Sequence, residues 1–171
     1  MSKVPPLVVM GVSGCGKSTV GALLGDRLGV PFFDGDDFHP AANKSKMATG
    51  TPLNDSDRAP WLAAIGATLA KPPHGAGSCV MACSALRRSY RDLLRSCAPD
   101  SVFIHLRGEA ATISGRLGGR AHEYMPSSLL ASQMATLEPL GEDEAHIALD
   151  ILREPAALVD QVARQLNFLE R

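Results

Sequence analysis

Little in this sequence answers to a polyanion, a membrane or a structural metal. Its 171 residues carry a formal net charge of −1, with no block of lysine or arginine and no basic stripe interleaved with aromatics. A nucleic-acid partner is therefore not expected. No apolar run approaches the ~20 residues that cross a bilayer, so no membrane partner is expected either. The run Leu7–Met10, following Lys3, has the look of a weak leader segment, but it is short and passes straight into a glycine-rich loop. A strand is the better reading. The four cysteines, Cys15, Cys79, Cys83 and Cys97, show no C-x-x-C spacing and no paired histidines, which argues against zinc. No repeat, low-complexity tract or linker divides the chain, and its length suits one domain over residues 1–171.

What is present is led by Gly11-Val12-Ser13-Gly14-Cys15-Gly16-Lys17-Ser18, which fits the phosphate-binding pattern G-x-x-x-x-G-K-[ST] at every fixed position. A chance glycine-rich turn would not need the context found here: a buried strand before it, and a helix after it with Val20, Leu23, Leu24 and Leu28 at helical spacing. Glycines let successive backbone N–H groups turn inward on phosphate oxygens, aided by the positive end of the following helix. Lys17 reaches the β- and γ-phosphates, and the Ser18 hydroxyl suits Mg²⁺. Cys15 holds a variable position and reads as a tolerated small residue. A site for ATP implies a reducing cytoplasm, where the four thiols are expected to be free.

A second strand is expected at Val30–Phe33, ending on Asp34-Gly35-Asp36-Asp37-Phe38-His39-Pro40. Three carboxylates crowded at a strand end call for a cation or donors nearby. Ligands of parallel α/β sheets sit outside the carboxyl ends of strands, so this cluster should face the phosphate loop's crevice. A solvated acidic turn is the plainer alternative. Residues 43–53 read as a short helix and a loop too polar for core. The next helix is expected to be capped by Asp55 or Asp57, with Pro60 in its first turn and Trp61, Leu62, Ile65 and Leu69 as its buried stripe. His74 reads as an exposed turn residue. Ser78–Cys83 reads as a fully buried strand, and Ser84 as the cap of a helix over 85–95. That helix carries Arg87, Arg88 and Arg91 in its first half; cations there oppose the macrodipole, which suggests that at least one of Arg87 and Arg88 meets an anion, a solvated arginine face being the plainer alternative. Further strands are expected at 101–106, with His105 in the core or at a sheet edge, and at 147–151. Helices are expected at 109–117, 127–137 and 155–169. Between Arg116 and Pro126 lies a glycine-hinged, arginine-bearing stretch suited to a lid over phosphates.

These motifs resemble the bacterial-type gluconate kinases, within the P-loop small-molecule kinases related to shikimate and nucleoside monophosphate kinases. The resemblance rests on residues 11–18, DGDDFHP at 34–40 with Asn43, Lys46 and Met47, GTPLNDSDRAPWL at 50–62, and CSALRRSYRD at 83–92. It continues from Arg116 through His122, Met125-Pro126, Leu129-Leu130 and Ser132-Gln133 to Leu137-Glu138. Related chains read His-Phe-Met/Phe-Pro at the lid, whereas this one reads His122-Glu123-Tyr124-Met125-Pro126 and looks one residue longer.

The resemblance implies a three-layer α/β/α P-loop kinase fold with a five-stranded parallel sheet, a mobile lid over residues 116–126, and a homodimer. It implies ATP-dependent phosphorylation of the 6-hydroxyl of D-gluconate. On that reading Lys17, Asp36 and Arg120 are catalytic: Asp36 accepts the acceptor's proton, and Arg120, supported by Arg116, closes on the transferring group. The nucleotide is held by residues 11–19, namely Gly11, Val12, Ser13, Gly14, Cys15, Gly16, Lys17, Ser18 and Thr19, with Arg116. Mg²⁺ falls to Ser18 and, through a water, Asp34. Asp36, His39, Lys46, Arg58 and Arg87 are expected to bind the sugar acid. Another P-loop kinase, acting on shikimate or a nucleotide, is the alternative. A nucleotide switch is a weaker one, since Asn43-Lys44-Ser45-Lys46 lacks the aspartate of an Asn-Lys-x-Asp base-reading element.

Overall fold

A computed structural model of the chain describes residues 3–118 and 127–169. Most of the expected lid, including Arg120 and His122–Pro126, lies outside the described residues. Five parallel strands form one sheet in the order β2-β3-β1-β4-β5. They are β1 (Leu7–Met10), β2 (Phe32–Asp34), β3 (Val80–Ala82), β4 (Val102–Arg107) and β5 (His146–Asp150). The central strand is β1, paired to β3 through Leu7–Val80 and to β4 through Leu7–Val102.

Alternation along β1 explains the layers. Leu7 and Val9 enter one apolar cluster with Val20 and Leu24 of α1 (Lys17–Leu28) and Leu158, Val162 and Leu166 of α7 (Pro155–Leu169). Val8 and Met10 enter another, with Trp61, Leu62, Ile65 and Leu69 of α3 (Asp55–Ala70) and Leu94 of α4 (Arg88–Cys97). A strand covered on both faces must be apolar at every position, which is why the run reads as continuous rather than alternating. Burying each large side chain contributes roughly 1.5–3 kcal/mol, so both layers hold the sheet. The remaining helices are α2 (Ala41–Ala48), α5 (Ala110–Gly118) and α6 (Ser127–Thr136). As expected, His105 is buried in β4, His74 is exposed in a turn, and all four cysteines are free. Burial pushes His105 down to about 4, so it is neutral at ordinary pH.

Two helix starts differ from the sequence expectation. Asn54, not Asp55 or Asp57, caps α3: its side chain accepts from the Asp57 amide at 2.8 Å, and Asp57 accepts from the Asn54 amide at 2.9 Å. This reciprocal box satisfies two end amides at once and so fixes the boundary. Pro60 then sits one turn deeper, within the helix. Ser84 does not cap α4, which begins at Arg88 with Arg87 at the cap. Residues 84–87 instead form a loop in which Ala85 has a left-handed φ of 47°. The Ser84 carbonyl accepts from the Gly11 amide at 3.3 Å, and the Arg91 guanidinium takes the carbonyls of Ala85 and Leu86 at 2.9 and 3.2 Å.

Candidate active site

The phosphate cradle begins where β1 ends. Gly11, Gly14 and Gly16 have φ of 145°, 82° and 95°, values that side-chain-bearing residues avoid. A Cβ at Gly11 would meet Cys15 Sγ at 2.7 Å and the Leu106 carbonyl at 2.9 Å. Val12 and Cys15 turn their side chains into the core, so they offer the site backbone only. Burial raises the Cys15 thiol above its ordinary range, more than Lys17 lowers it, so it stays protonated. Lys17 Nζ donates to the carbonyls of Gly11 and Val12 at 3.0 and 3.1 Å, curled over the loop it will serve. α1 starts at Lys17, aiming its positive end into the same space.

The acid cluster faces this cradle. Ser18 Oγ donates to Asp34 Oδ2 at 2.9 Å, tying the start of α1 to the end of β2. Asp34 Oδ1 accepts the Asp36 amide at 3.0 Å and caps a 3-10 turn over Gly35–Phe38. Nothing larger than glycine fits between these acids, because a Cβ at Gly35 would lie 2.4 Å from the Ala82 carbonyl. Trp61 Nε1 donates to the Gly35 carbonyl at 2.7 Å and holds the turn from the other side. Asp36 lines the cleft with its carboxyl raised above the ordinary range, first by burial and then by the neighbouring Asp34 charge, with Lys17 opposing.

Lys17, Ser18, Asp34, Asp36, His39 and Arg58 all line one cleft of about 640 Å³, outside the carboxyl ends of the strands. His39 stacks on Trp61 with ring centroids 4.2 Å apart and planes 13° apart. Its Nδ1 lies 3.3 Å from Asn43 Nδ2, and burial lowers its pKa, which keeps the ring neutral. Asn43 is itself buried and donates to the Asp57 carbonyl at 2.8 Å, so the polar 43–53 stretch does reach the interior. Arg58 is set by Tyr90: its guanidinium lies 5.6 Å from the ring centroid and donates to the hydroxyl at 3.3 Å. That hydroxyl donates in turn to Asp55 at 2.7 Å. Ser18 and Asp34 together present hard oxygen donors side by side, which suits Mg²⁺.

Sequence reasoning passed over Tyr90, Gln133 and Thr51 as cleft residues, though all three line it. The only signal was that all three fall inside the quoted family motifs. Three expected ligands stand elsewhere. Lys46 pairs with Asp57 at 2.8 Å and Arg87 is exposed at the α4 cap; neither lines the cleft. Arg116 donates to the Ile151 carbonyl. The anion expected for the α4 arginines is protein. Arg91, fully buried, pairs with Glu144 at 2.8 Å, while Arg88 donates to Asp143 at 2.9 Å. The acidic turn after α6 supplies both carboxylates, which resolves the mismatch with the helix dipole. Burial alone would raise Glu144, but donors from Arg91, the Gly141 amide and Arg95 outweigh it and hold the carboxyl at about 2.

Comparison with known proteins is consistent along the whole chain. The profile of the shikimate kinase family matches residues 13–167. A gluconokinase of Gluconobacter oxydans is 45% identical over 161 residues, covering 94% of this chain and 90% of that protein. A probable gluconokinase of Xenopus tropicalis is 40% identical over 176 residues, covering 94% of this chain and 93% of that protein. The crystal structure of a gluconokinase from Sinorhizobium meliloti superposes with a TM-score of 0.85 at 41% identity, covering 100% of both chains.

Proposed function

The chain belongs to the gluconokinase family of P-loop kinases, and on that premise we propose that it transfers the γ-phosphoryl group of ATP to the 6-hydroxyl of D-gluconate. The observation that carries the proposal is that Asp36 and Lys17 line one cleft, in a chain matched from end to end by gluconokinases.

Phosphoryl transfer asks the protein for alignment and charge neutralisation rather than covalent chemistry. Lys17 and the loop amides hold the β/γ-phosphates. Asp36, beside Asp34 at the mouth of the cleft, accepts the proton of the attacking hydroxyl and orients its oxygen. Ser18 and Asp34 would hold Mg²⁺, which neutralises charge on the phosphates when bound. Arg58, fixed by Tyr90, meets the gluconate carboxylate, and His39 offers the polyol a neutral ring. The resemblance gives Arg120, supported by Arg116, the task of neutralising the transferring group; Arg116, Lys46 and Arg87 join the site only by leaving the positions described above. The family resemblance supports a homodimer, and four free thiols suit a cytoplasmic setting.

The shikimate kinase profile makes shikimate the acceptor to test beside gluconate. ADP release is to be measured with gluconate, shikimate and nucleoside monophosphates in parallel. Turnover with gluconate alone supports the reading; turnover with shikimate or a nucleotide instead overturns it.

A further inference from the structure

Gln133 is a polar residue of the cleft that the reaction as described leaves without a task. It lies in α6, on the opposite side of the sequence from the phosphate loop, yet its Oε1 accepts the Ser13 amide at 2.7 Å. The orientation of this carboxamide follows from chemistry. The Ser13 N–H can only donate, so the oxygen must face it and Nε2 must be the other end. Among the described residues Nε2 has no hydrogen-bond partner, while the side chain is half-buried and lines the cleft with Ser132 and Thr136. The result is a neutral pair of donors anchored on Ser13 of the phosphate cradle, in the same cleft as Asp36, His39 and Arg58.

A neutral donor of set direction is a poor counter-charge for a triphosphate, which Lys17 and the loop amides already serve. It is well suited to an uncharged polyol, where discrimination rests on satisfying particular hydroxyls. The geometry points to Gln133 as a substrate-binding residue that donates from Nε2 to an oxygen of the sugar acid, with the Ser13 amide setting its direction. This assignment rests on the gluconate kinase reading above. Of the loop residues expected to hold the nucleotide, Ser13 thus has its amide engaged by Gln133.

Two variants test it, with the gluconate activity of the unaltered enzyme as the reference. Gln133→Leu removes both ends of the amide. Gln133→Glu keeps an oxygen for the Ser13 amide but removes the donor. Expected is a rise of about tenfold in KM for gluconate in both variants, with kcat falling less than about threefold. For Gln133→Leu, the Kd of ATP, measured without gluconate, should stay within about twofold. A gluconate KM unchanged in Gln133→Glu overturns the assignment, because the strut to Ser13 is then all that matters. So does a weakened ATP Kd in Gln133→Leu with gluconate KM unchanged, which would place the donor on phosphate. Should Gln133→Leu fail to fold, Gln133→Glu decides alone. Absence of gluconate turnover in the unaltered enzyme overturns the functional reading instead, a result read before either variant is made.

Discussion

Ser18 Oγ and Asp34 Oδ2 stand 2.9 Å apart, and this one contact joins the nucleotide half of the cleft to the acceptor half. Ser18 lies in the first turn of the helix that follows the phosphate loop, and Asp34 closes the edge strand, two strands from β1. From Asp34 the chain has only Gly35 before Asp36. Any displacement of β2 therefore moves Asp36, the proposed proton acceptor, relative to the phosphate loop.

Gly35→Ala should test that coupling. The added methyl meets the Ala82 backbone carbonyl at 2.4 Å and Ile65 Cδ1 at 3.3 Å, so a strand of the sheet would have to give way. A destabilisation of about 1–3 kcal/mol is expected by denaturant titration, with a loss of kcat larger than the stability change accounts for. A variant with wild-type stability and turnover would mean that the turn has slack that the structure does not show.

Tyr90→Phe should separate binding from chemistry. It removes the hydroxyl that receives Arg58 and donates to Asp55, but keeps the ring under the guanidinium. Hydrogen bonds of this kind contribute about 0.5–1.5 kcal/mol, so KM for gluconate should rise about three- to tenfold. The kcat and the KM for ATP should change little; an equal fall in kcat would assign Tyr90 to the reaction step.

The Arg91–Glu144 pair should govern stability rather than activity. Both side chains are buried, and Arg91 also holds the 84–87 loop beside the phosphate loop. Glu144→Gln leaves the Arg91 charge poorly compensated and should cost about 3–5 kcal/mol in chemical denaturation.

The same carboxyl sets an acid limit on the fold. Its folded pKa of about 2 lies below the ordinary 4.5, so the unfolded chain binds a proton first as pH falls. The stabilisation is complete above about 4.5 and drains away as pH drops towards 2. Thermal melting of the unaltered protein should fall over that window, and Glu144→Gln should show a shallower fall. Parallel curves would remove Glu144 as a source of acid lability.

Much of this was legible in the residues. The phosphate loop is read directly because its glycines, lysine and serine each answer a separate geometric need. The strands are legible because a parallel sheet covered on both faces leaves unbroken apolar runs such as Leu7–Met10. The acid turn was legible because carboxylates rarely crowd without a task. What escaped was set by long-range contact. Ser84 has the chemistry of a helix cap, but its carbonyl is drawn to Gly11, and Ala85 is held left-handed beside the Arg91 side chain. Arg88 and Arg91 look like ligands for an anion because their carboxylate partners lie some fifty residues further along. Gln133 reaches the phosphate loop across a separation of 120 residues, which no local pattern announces.

Asp36→Asn offers the most direct measurement of the account. The variant keeps the shape of the turn and removes the carboxylate proposed to receive the hydroxyl proton. With gluconate and ATP, kcat should fall roughly 10²–10⁴-fold while the Kd of ATP stays within about twofold. Turnover close to that of the unaltered enzyme would contradict the account, because the acid turn would then face the phosphate loop without acting on what it transfers.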